Sequence, residues 1–346
     1  MRGQQLCQVV AQATKSYSSL VTTKNNTWRL RNWSEYNRSL QERGSLNLWI
    51  DARVIADWKH SAKSGKRGAS KTYSDTAIQA CLCLGLMMRL PLRQCCGLVR
   101  SILALMGVDL PCPDYTTLSR RRAALQPDLA PHPSQEPRFV LLDSTGLKVF
   151  GEGEWKVRKH GVGKRRTWRK MHLCIDADTQ DILACQVTEA DAADGPRLAE
   201  LLEATPGKVK TLAADGAYDS WSNDEHLSKL GIRALIPPCQ GSKIRQKKQP
   251  GVEPLPRDER LRAIRDFGGG NFLYGRRRWG KESGYTRRSL AETAMMRQKR
   301  ILGDALRSRS EAGQRVEGLL RCRVLNRLTR LGMPQSYRYQ PQAAAG

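Results

Sequence analysis

Two stretches of the sequence decide the fold: FVLLD at residues 139–143 and TLAADGAYDS at residues 211–220. Each begins with a short apolar run and reaches an acid, which predicts a buried strand ending at Asp143 or at Asp215. Gly216 follows Asp215 and lets the backbone turn and approach a ligand closely. In a mixed sheet the two strands would be neighbours, so their carboxylates would meet at one edge. The alternative for either aspartate alone is that it closes a strand or caps a turn.

The elements around these stretches predict an α/β fold. Five short apolar runs predict strands at 139–142, 171–175, 182–187, 209–213 and 232–236. Helices are predicted from Asp194 to about residue 204, from Ser222 to near residue 231, and over 285–306 and 311–331. The order of three strands, helix, strand, helix, strand, helix is that of a ribonuclease-H-like fold, a mixed five-stranded sheet with flanking helices.

The region before this sheet, residues 27–126, is predicted to be all-helical. Ser74 suits the start of one helix and Pro91 the start of the next, while a third, short helix carries Arg120 and Arg121. Three short helices with a basic last one resemble a helix-turn-helix domain, whose recognition helix enters the DNA major groove. A small helical bundle with a solvated arginine face is the alternative.

Composition shifts divide the chain into five parts. A proline-rich stretch, 127–137, separates the helical region from the strands and is typical of a domain boundary. The predicted order is a flexible extension at 1–26, the helical DNA-binding domain at 27–126, the linker at 127–137, the catalytic domain at 138–334 and a flexible tail at 335–346.

The charge balance indicates a polyanionic partner. Lys and Arg number 59 against 33 Asp and Glu, so the net charge is +26 and the isoelectric point is about 10.1. This excess favours a polyanion, such as double-stranded DNA, over a small acidic substrate. The longest apolar run, 78–88, is well short of the roughly 20 residues of a membrane span. The ten cysteines lack zinc-site spacing and no export signal is evident, so a cytoplasmic protein without a membrane contact is expected.

A third acid is expected from the C-terminal half, because two-metal phosphoryl transfer needs several carboxylates converging from different elements. Four polar side chains fall within about 60° of one another on a helix with about 100° per residue: Tyr285, Arg288, Glu292 and Lys299. Glu292 would then reach a metal, the two basic residues would hold phosphates, and the tyrosine would contact the nucleic-acid backbone. The alternative is an ordinary ion pair between Arg288 and Glu292. Other acids near strand ends could replace an assigned ligand: Asp176, Asp178, Asp191, Asp194 and above all Asp219.

Two basic stretches flank these acids. Residues 156–170 contain eight Lys or Arg and no acid, and residues 276–281 form a second basic run. Phosphate neutralisation explains their placement, and Trp168 and Trp279 within them could stack on an unpaired base. A solvated charged face is the alternative. The predicted DNA contacts in the first stretch are Lys156, Arg158, Lys159, Arg165, Arg166 and Arg169.

Longer motifs resemble one known family. LLDSTGLKVFGEGEWKVRKHG (141–161), ADGAYDS (214–220) and KESGYTRRSLAETAM (281–295) are similar to the transposases of bacterial insertion sequences of the IS-five type, within the IS-four superfamily of DDE transposases. The resemblance covers residues 28–334. Its most specific part is the signature Tyr, two residues, Arg, three residues, Glu, six residues, Lys, which is met by Tyr285, Arg288, Glu292 and Lys299.

This resemblance implies a ribonuclease-H-like catalytic domain in which Asp143, Asp215 and Glu292 form the DDE triad and bind two Mg2+ or Mn2+ ions. It also implies DNA strand cleavage and strand transfer, recognition of terminal inverted repeats with help from the N-terminal region, and a homo-oligomer acting on paired DNA ends.

One segment departs from the family pattern. Residues 265–278, RDFGGGNFLYGRRR, are glycine-rich and lie directly before the predicted Glu292 helix. They are expected to be a loop insertion. This insertion either has no effect on activity or displaces the Glu292 helix and lowers activity. A catalytically inactive DNA-binding copy or repressor, and a nuclease without a joining step, are therefore the alternatives to an active transposase.

Overall fold

The computed structural model describes residues 28–60, 72–149, 168–245 and 255–339. Contacts within this part of the chain separate two units, one formed by residues 28–42 with 332–339 and the other by residues 43–331. The predicted linker, 127–137, lies inside the second unit and does not divide it.

The smaller unit combines a two-stranded sheet with one helix. Strand β1 (Trp28–Leu30) pairs antiparallel with strand β8 (Ser336–Arg338), and helix α1 spans Trp33–Glu42. The Asn32 side chain joins the two chain segments through hydrogen bonds of 3.0 and 2.8 Å to the backbone just before β8. Strand β8 therefore lies at the start of the predicted tail, 335–346. Its partner, β1, lies at the start of the region predicted to be all-helical, 27–126.

The helical part of the larger unit follows the capping signals in the sequence. The Ser74 hydroxyl accepts from the Ala77 amide at 3.0 Å, Pro91 directly precedes a helix, and the Asp114 carboxylate caps the last, short one. The predicted helix starts at Ser74 and Pro91 are confirmed. The elements are a 3-10 turn at Leu46–Leu48, α2 (Ala52–Ala56), α3 (Asp75–Met87), α4 (Leu92–Leu105) and α5 (Tyr115–Arg122).

The described remainder of this unit contains six strands and six α-helices. The strands are β2 (Arg138–Val149), β3 (Trp168–Asp176), β4 (Ile182–Glu189), β5 (Val209–Ala214), β6 (Arg233–Leu235) and β7 (Ala305–Leu306). The helices are α6 (Arg197–Glu203), α7 (Trp221–Lys229), α8 (Pro256–Gly268), α9 (Phe272–Ser283), α10 (Ser289–Leu302) and α11 (Glu311–Arg330). The five predicted strands are present in the predicted order. Helix α7 is capped by Ser220, whose hydroxyl accepts from the Asn223 amide at 3.1 Å, and not by Ser222.

These strands form one six-stranded mixed sheet. Its order is β4-β3-β2-β5-β6, and β7 pairs with the far end of β2. The pairs β2–β3 and β3–β4 are antiparallel, whereas β5 lies parallel to both β2 and β6. The short strand β7 replaces the end of the predicted helix over 285–306, because the chain leaves the helix at Gly303 with a φ of +84°.

Strand β2 is three times as long as its apolar run. Asp143 was predicted to end this strand, but the strand continues to Val149 because its polar second half pairs antiparallel with β3. The parallel pairing with β5 stops earlier, at Leu142 opposite Ala214. Asp143 directly follows Leu142, and Asp215 directly follows Ala214, so the two acids are neighbours as predicted. Asp143, however, lies in the middle of its strand.

Both faces of the sheet are covered by helices. Alternate residues of β2 point to opposite sides of the sheet and therefore enter two different cores. Val140 and Leu142 pack in a core with α6 and α7. Leu141 and Leu147 pack on the other side, in a core that receives Ala291 from α10 and residues of α8, α9 and α11. The helix that carries Glu292 is thereby fixed against the sheet.

The glycine-rich segment is a helical hairpin and not a loop insertion. Helices α8 and α9 are joined by a turn in which Gly269 and Gly270 have φ angles of +49° and +98°. The two helices cross at Gly275, where an added Cβ would lie 1.9 Å from the carbonyl oxygen of Ile264. The glycines therefore permit close helix packing, a use that composition alone does not reveal.

The helical region and the sheet region share contacts with α11. Apolar residues of α3, α4 and α5 form one core with Val316, Leu320 and Val324 of that helix. The predicted linker is also held, because the Asn326 side chain donates to Leu129 O at 3.0 Å. Proline removes secondary structure from this segment without freeing it from the larger unit.

Helices α3 and α4 are the most apolar consecutive helices in the described part of the chain. Among the described residues, no single helix is long and apolar enough to cross a membrane. Helices α3 and α4 meet that requirement only when taken together, and they are bent by 110° at the break between them.

Candidate active site

Three acids converge from three elements. Asp143 lies in β2, Asp215 follows β5 directly, and Glu292 lies in the first turn of α10. We refer to Asp143, Asp215 and Glu292 as the candidate acids. Local structure fixes two of them, because Asp143 accepts the Ser144 amide at 2.9 Å and Asp215 accepts the Ala217 amide at 2.9 Å.

Arg288 connects two of the candidate acids. Its Nη1 donates to Asp143 Oδ2 at 2.9 Å, and its Nη2 donates to Glu292 Oε1. The ion pair between Arg288 and Glu292 that was considered as an alternative does form. It is part of a larger contact, however, because the same guanidinium reaches across to the sheet.

The electrostatics indicate that the candidate acids influence one another. Burial raises the pKa of the Asp143 carboxyl above its usual 3.8; Arg288 lowers this pKa, and the charges of Asp215 and Glu292 raise it further. Burial lowers the pKa of Arg288, but the facing Tyr285 and candidate acids outweigh this effect and keep the guanidinium charged. The site is therefore rich in negative charge that one arginine only partly balances.

The four signature residues do not share one helix face. Tyr285–Arg288 is a 3-10 turn entered from Gly284 with a φ of +85°, and α10 begins only at Ser289. The prediction of a common α-helical face is wrong for Tyr285. That prediction assumed a rotation of 100° per residue, which holds in an α-helix but not in the 3-10 turn that contains Tyr285. Lys299 lies seven residues beyond Glu292, in the last turn of α10.

Tyr285 packs against the protein itself. Its ring lies 5.5 Å from that of Trp279, with a tilt of 36°. Trp279 is 6% exposed, so it cannot stack on a base as expected, whereas Trp168 is 42% exposed. Burial raises the pKa of Tyr285, which also bonds to Arg276.

The predicted DNA contacts have different surroundings. Arg121 donates to Tyr73 O at 2.9 Å and pairs with Asp75. Among the described residues, Arg120 bonds within its own helix, to Thr116. Arg169 pairs with Glu189 and donates to Gln314 Oε1 at 2.7 Å. Their roles stay predictions. Five further predicted contacts lie outside the described residues: Lys156, Arg158, Lys159, Arg165 and Arg166.

The acids considered as substitutes for the candidate acids mostly have partners of their own. Asp219 is held by Arg257 through contacts of 2.6 and 2.8 Å and is nearly fully buried. Asp194 pairs with Lys170 at 3.0 Å. Asp176 pairs with Arg138, and Asp178 pairs with Arg287. Asp191 is exposed.

One further residue was missed by the sequence analysis. Tyr218 is 1% exposed, and within the described part of the chain its hydroxyl has no hydrogen-bond partner. Burial and then the charges of Asp194, Asp143 and Asp215 raise its pKa. The 3-10 turn after Asp215 returns Tyr218 towards the acids, and the only signal for this was its position in ADGAYDS.

The donor chemistry of the site suits a hard divalent ion, since carboxylate oxygens are the ligands that Mg2+ and Mn2+ prefer. Within the described ranges, no three His, Cys, Asp or Glu side chains are grouped closely enough to hold a metal. Arg288 already contacts one oxygen of Asp143 and one of Glu292. The residues therefore fit such an ion chemically, while their present arrangement includes a competing cation.

Comparisons with protein families identify the kind of protein that carries this site. Residues 134–327 match a family model described as a transposase DDE domain, and residues 41–152 match a second model of the same description. The chain belongs to the DDE transposase family. The longer match contains all three candidate acids and the signature residues, and the shorter match runs through the predicted linker into β2.

One solved transposase is similar over much of its length. The cryo-EM structure of the piggyBac transposase synaptic complex with hairpin DNA matches with a TM-score of 0.37 and 10% identity, over 83% of this chain and 75% of that one. A similarity of this size supports no conclusion about the site. The predicted membership of a DDE transposase family is confirmed by the family models, whereas the IS-five type stays a prediction.

Proposed function

We propose that this DDE transposase binds the terminal inverted repeats of an insertion sequence of the IS-five type and catalyses metal-dependent DNA cleavage and strand transfer. The observation that carries the proposal is the convergence of Asp143, Asp215 and Glu292 from two neighbouring strands and one helix. The strand order, with three antiparallel strands followed by two parallel ones, supports a ribonuclease-H-like fold. The net charge of +26 supports a DNA partner. The proposed place of action is the bacterial cytoplasm, in association with the nucleoid.

The candidate acids would hold two Mg2+ or Mn2+ ions. Bound there, the ions would supply an activated water or DNA 3′-hydroxyl and would neutralise charge on the phosphodiester. The chain itself orients the acids: the amides of Ser144 and Ala217 fix Asp143 and Asp215, and the packing of α10 on the sheet fixes Glu292. Arg288 and Lys299 would bind phosphates, with Tyr285 supporting the turn that carries Arg288.

The remaining basic residues would extend the DNA contact. Arg120 and Arg121 would act from the helical region, and Arg169 with the stretch before it from the sheet. A homo-oligomer on paired DNA ends would bring two copies of the site together. These assignments follow from the charge pattern and from the family resemblance.

A catalytically inactive DNA-binding copy or repressor is the second candidate. The contact of Arg288 with Asp143 and Glu292 favours it, since a guanidinium that stayed there would compete with a metal. This candidate predicts salt-sensitive binding of the repeats without cleavage.

Cleavage of a labelled duplex that carries the element's own end, in Mg2+, tests the proposal. The wild type should nick at the end of the repeat, and Asp143→Asn should abolish nicking. Asp191→Asn, the same change at an exposed acid, is the matched control and should cleave normally. Binding by the wild type without any cleavage would favour the inactive copy, and nicking that survives Asp143→Asn would remove the assignment of the acids.

A further inference from the structure

The Arg288 guanidinium engages acids on two different elements. It donates to Asp143 Oδ2 at 2.9 Å and to Glu292 Oε1. The second oxygen of Asp143 accepts the Ser144 amide at 2.9 Å. Both oxygens of Asp143 are therefore engaged, one by a fixed backbone group and one by a movable side chain.

The local backbone sets the position of this side chain. Gly284 turns the chain with a φ of +85°, and the 3-10 turn that follows delivers Arg288 to the start of α10. Glu292 is then one helical turn ahead, on the same side. The Arg288 side chain is 20% exposed, so it is shielded from water but keeps a route to solvent.

A divalent ion and this guanidinium compete for the same oxygens. An ion held by Asp143 and Glu292 uses carboxylate oxygens as ligands, and a positive charge within a few ångströms repels it. Arginine cannot relieve this repulsion by losing its proton, because its pKa is too high. The guanidinium must therefore give up at least one of its two acids when an ion binds.

We propose that Arg288 is an exchangeable counter-ion of the site: it bridges Asp143 and Glu292 until a divalent ion takes their oxygens, and the released guanidinium then binds a DNA phosphate. The proposal rests on the proposed function, since it assumes that the candidate acids bind divalent ions. It implies that metal and DNA bind cooperatively, because each removes a competitor of the other, and this coupling is reciprocal.

Titration of the DNA-free full-length protein with Mn2+, followed by the electron paramagnetic resonance of the free ion, tests this role. Arg288→Gln should bind Mn2+ about tenfold more tightly than the wild type, because no guanidinium has to be displaced. Arg287→Gln is the matched control. It removes the same charge from the same turn, but Arg287 pairs with Asp178 and donates to Ala177 O at 2.9 Å, so its Mn2+ affinity should stay near that of the wild type.

Arg288→Lys gives a second measurement. Lysine keeps the charge but lacks the planar fork that bridges two carboxylates, so its gain in Mn2+ affinity should be smaller than that of Arg288→Gln. Unchanged or weaker Mn2+ binding by folded Arg288→Gln would overturn the proposal, as would an equal gain in Arg287→Gln. Failure of the proposed function would look different: the wild type would not cleave DNA, whatever the order of the Mn2+ affinities.

Discussion

Two groups of acids and arginines in the larger unit differ in how their charges are balanced. At the candidate acids, one guanidinium contacts two of the three carboxylates, Asp143 and Glu292, and Glu292 remains 61% exposed. Where α7 and the turn before it face α8, two acids each have an arginine of their own: Arg257 holds Asp219 and Arg260 holds Asp224, with both carboxylates nearly fully buried. We call these the closed pairs.

This difference separates a structural use of charge from a chemical one. In a closed pair, the charge of the acid is balanced by its own arginine inside the protein, so no net charge is left for a ligand. Among the described residues, one arginine contacts two of the three candidate acids, which leaves two negative charges available to a bound cation. An excess of negative charge, rather than the presence of a buried acid, therefore distinguishes the candidate acids from the closed pairs.

The largest effect on stability is expected from breaking a closed pair. Asp219→Ala would leave the buried Arg257 guanidinium without its carboxylate and should lower the free energy of unfolding by about 3 to 5 kcal/mol. Denaturant titration would measure this loss, and the specific cleavage activity of the folded fraction should be unchanged. A loss below about 1 kcal/mol would place Asp219 among weakly held acids and remove the contrast.

The hairpin that presents Arg257 and Arg260 offers the next test. Gly275→Ala would push a Cβ into the Ile264 carbonyl and should cost about 1 to 3 kcal/mol of unfolding free energy. Gly97→Ala is the control, because nothing lies within 4 Å of its added Cβ in helix α4. This control should stabilise by about 0.5 to 1 kcal/mol. Equal effects of the two changes would contradict the close crossing of α8 and α9.

Asp143 should show the opposite pH behaviour to an ordinary stabilising carboxylate. Burial raises the folded-state pKa of Asp143 above 3.8, so the unfolded chain loses this proton first as the pH rises. Ionisation of Asp143 thus lowers the free energy of unfolding between pH 3.8 and the raised pKa. Denaturant titrations at several pH values should show Asp143→Asn gaining stability relative to the wild type across that window. A relative loss would mean that Arg288 more than offsets the burial.

The smallest change is expected at Tyr218. Removing a buried hydroxyl normally costs a hydrogen bond, but this one has no partner among the described residues. Tyr218→Phe should therefore keep the free energy of unfolding within about 1 kcal/mol of the wild type, or raise it. Thermal unfolding checks this, and a loss of about 2 kcal/mol or more would indicate a bond to a group at the candidate acids.

The sequence predicted the sheet well, because buried strands are short apolar runs. The order of β2 to β6 and the meeting of Asp143 with Asp215 follow from that pattern and from one parallel pairing. The length of β2 does not follow, since its polar second half is a strand only because β3 pairs with it.

Other features depend on contacts that no local pattern contains. Composition alone marked residues 265–278 as a loop, whereas their glycines serve the crossing of two helices. The ion pair of Arg288 with Glu292 was visible as a spacing of four, but its contact with Asp143 joins residues 145 positions apart. The burial of Trp279 likewise results from tertiary packing.

Cleavage by Glu292→Gln tests the central claim most directly, namely that the unbalanced acids are the catalytic ones. The substrate is a labelled duplex with the element's own end, in Mg2+. Glu282→Gln is the control, because Glu282 also pairs with an arginine four residues earlier, on the exposed face of α9. We expect metal-dependent cleavage by the wild type and by Glu282→Gln, and a loss of about a thousandfold or more in Glu292→Gln. Undiminished cleavage by Glu292→Gln would contradict the account.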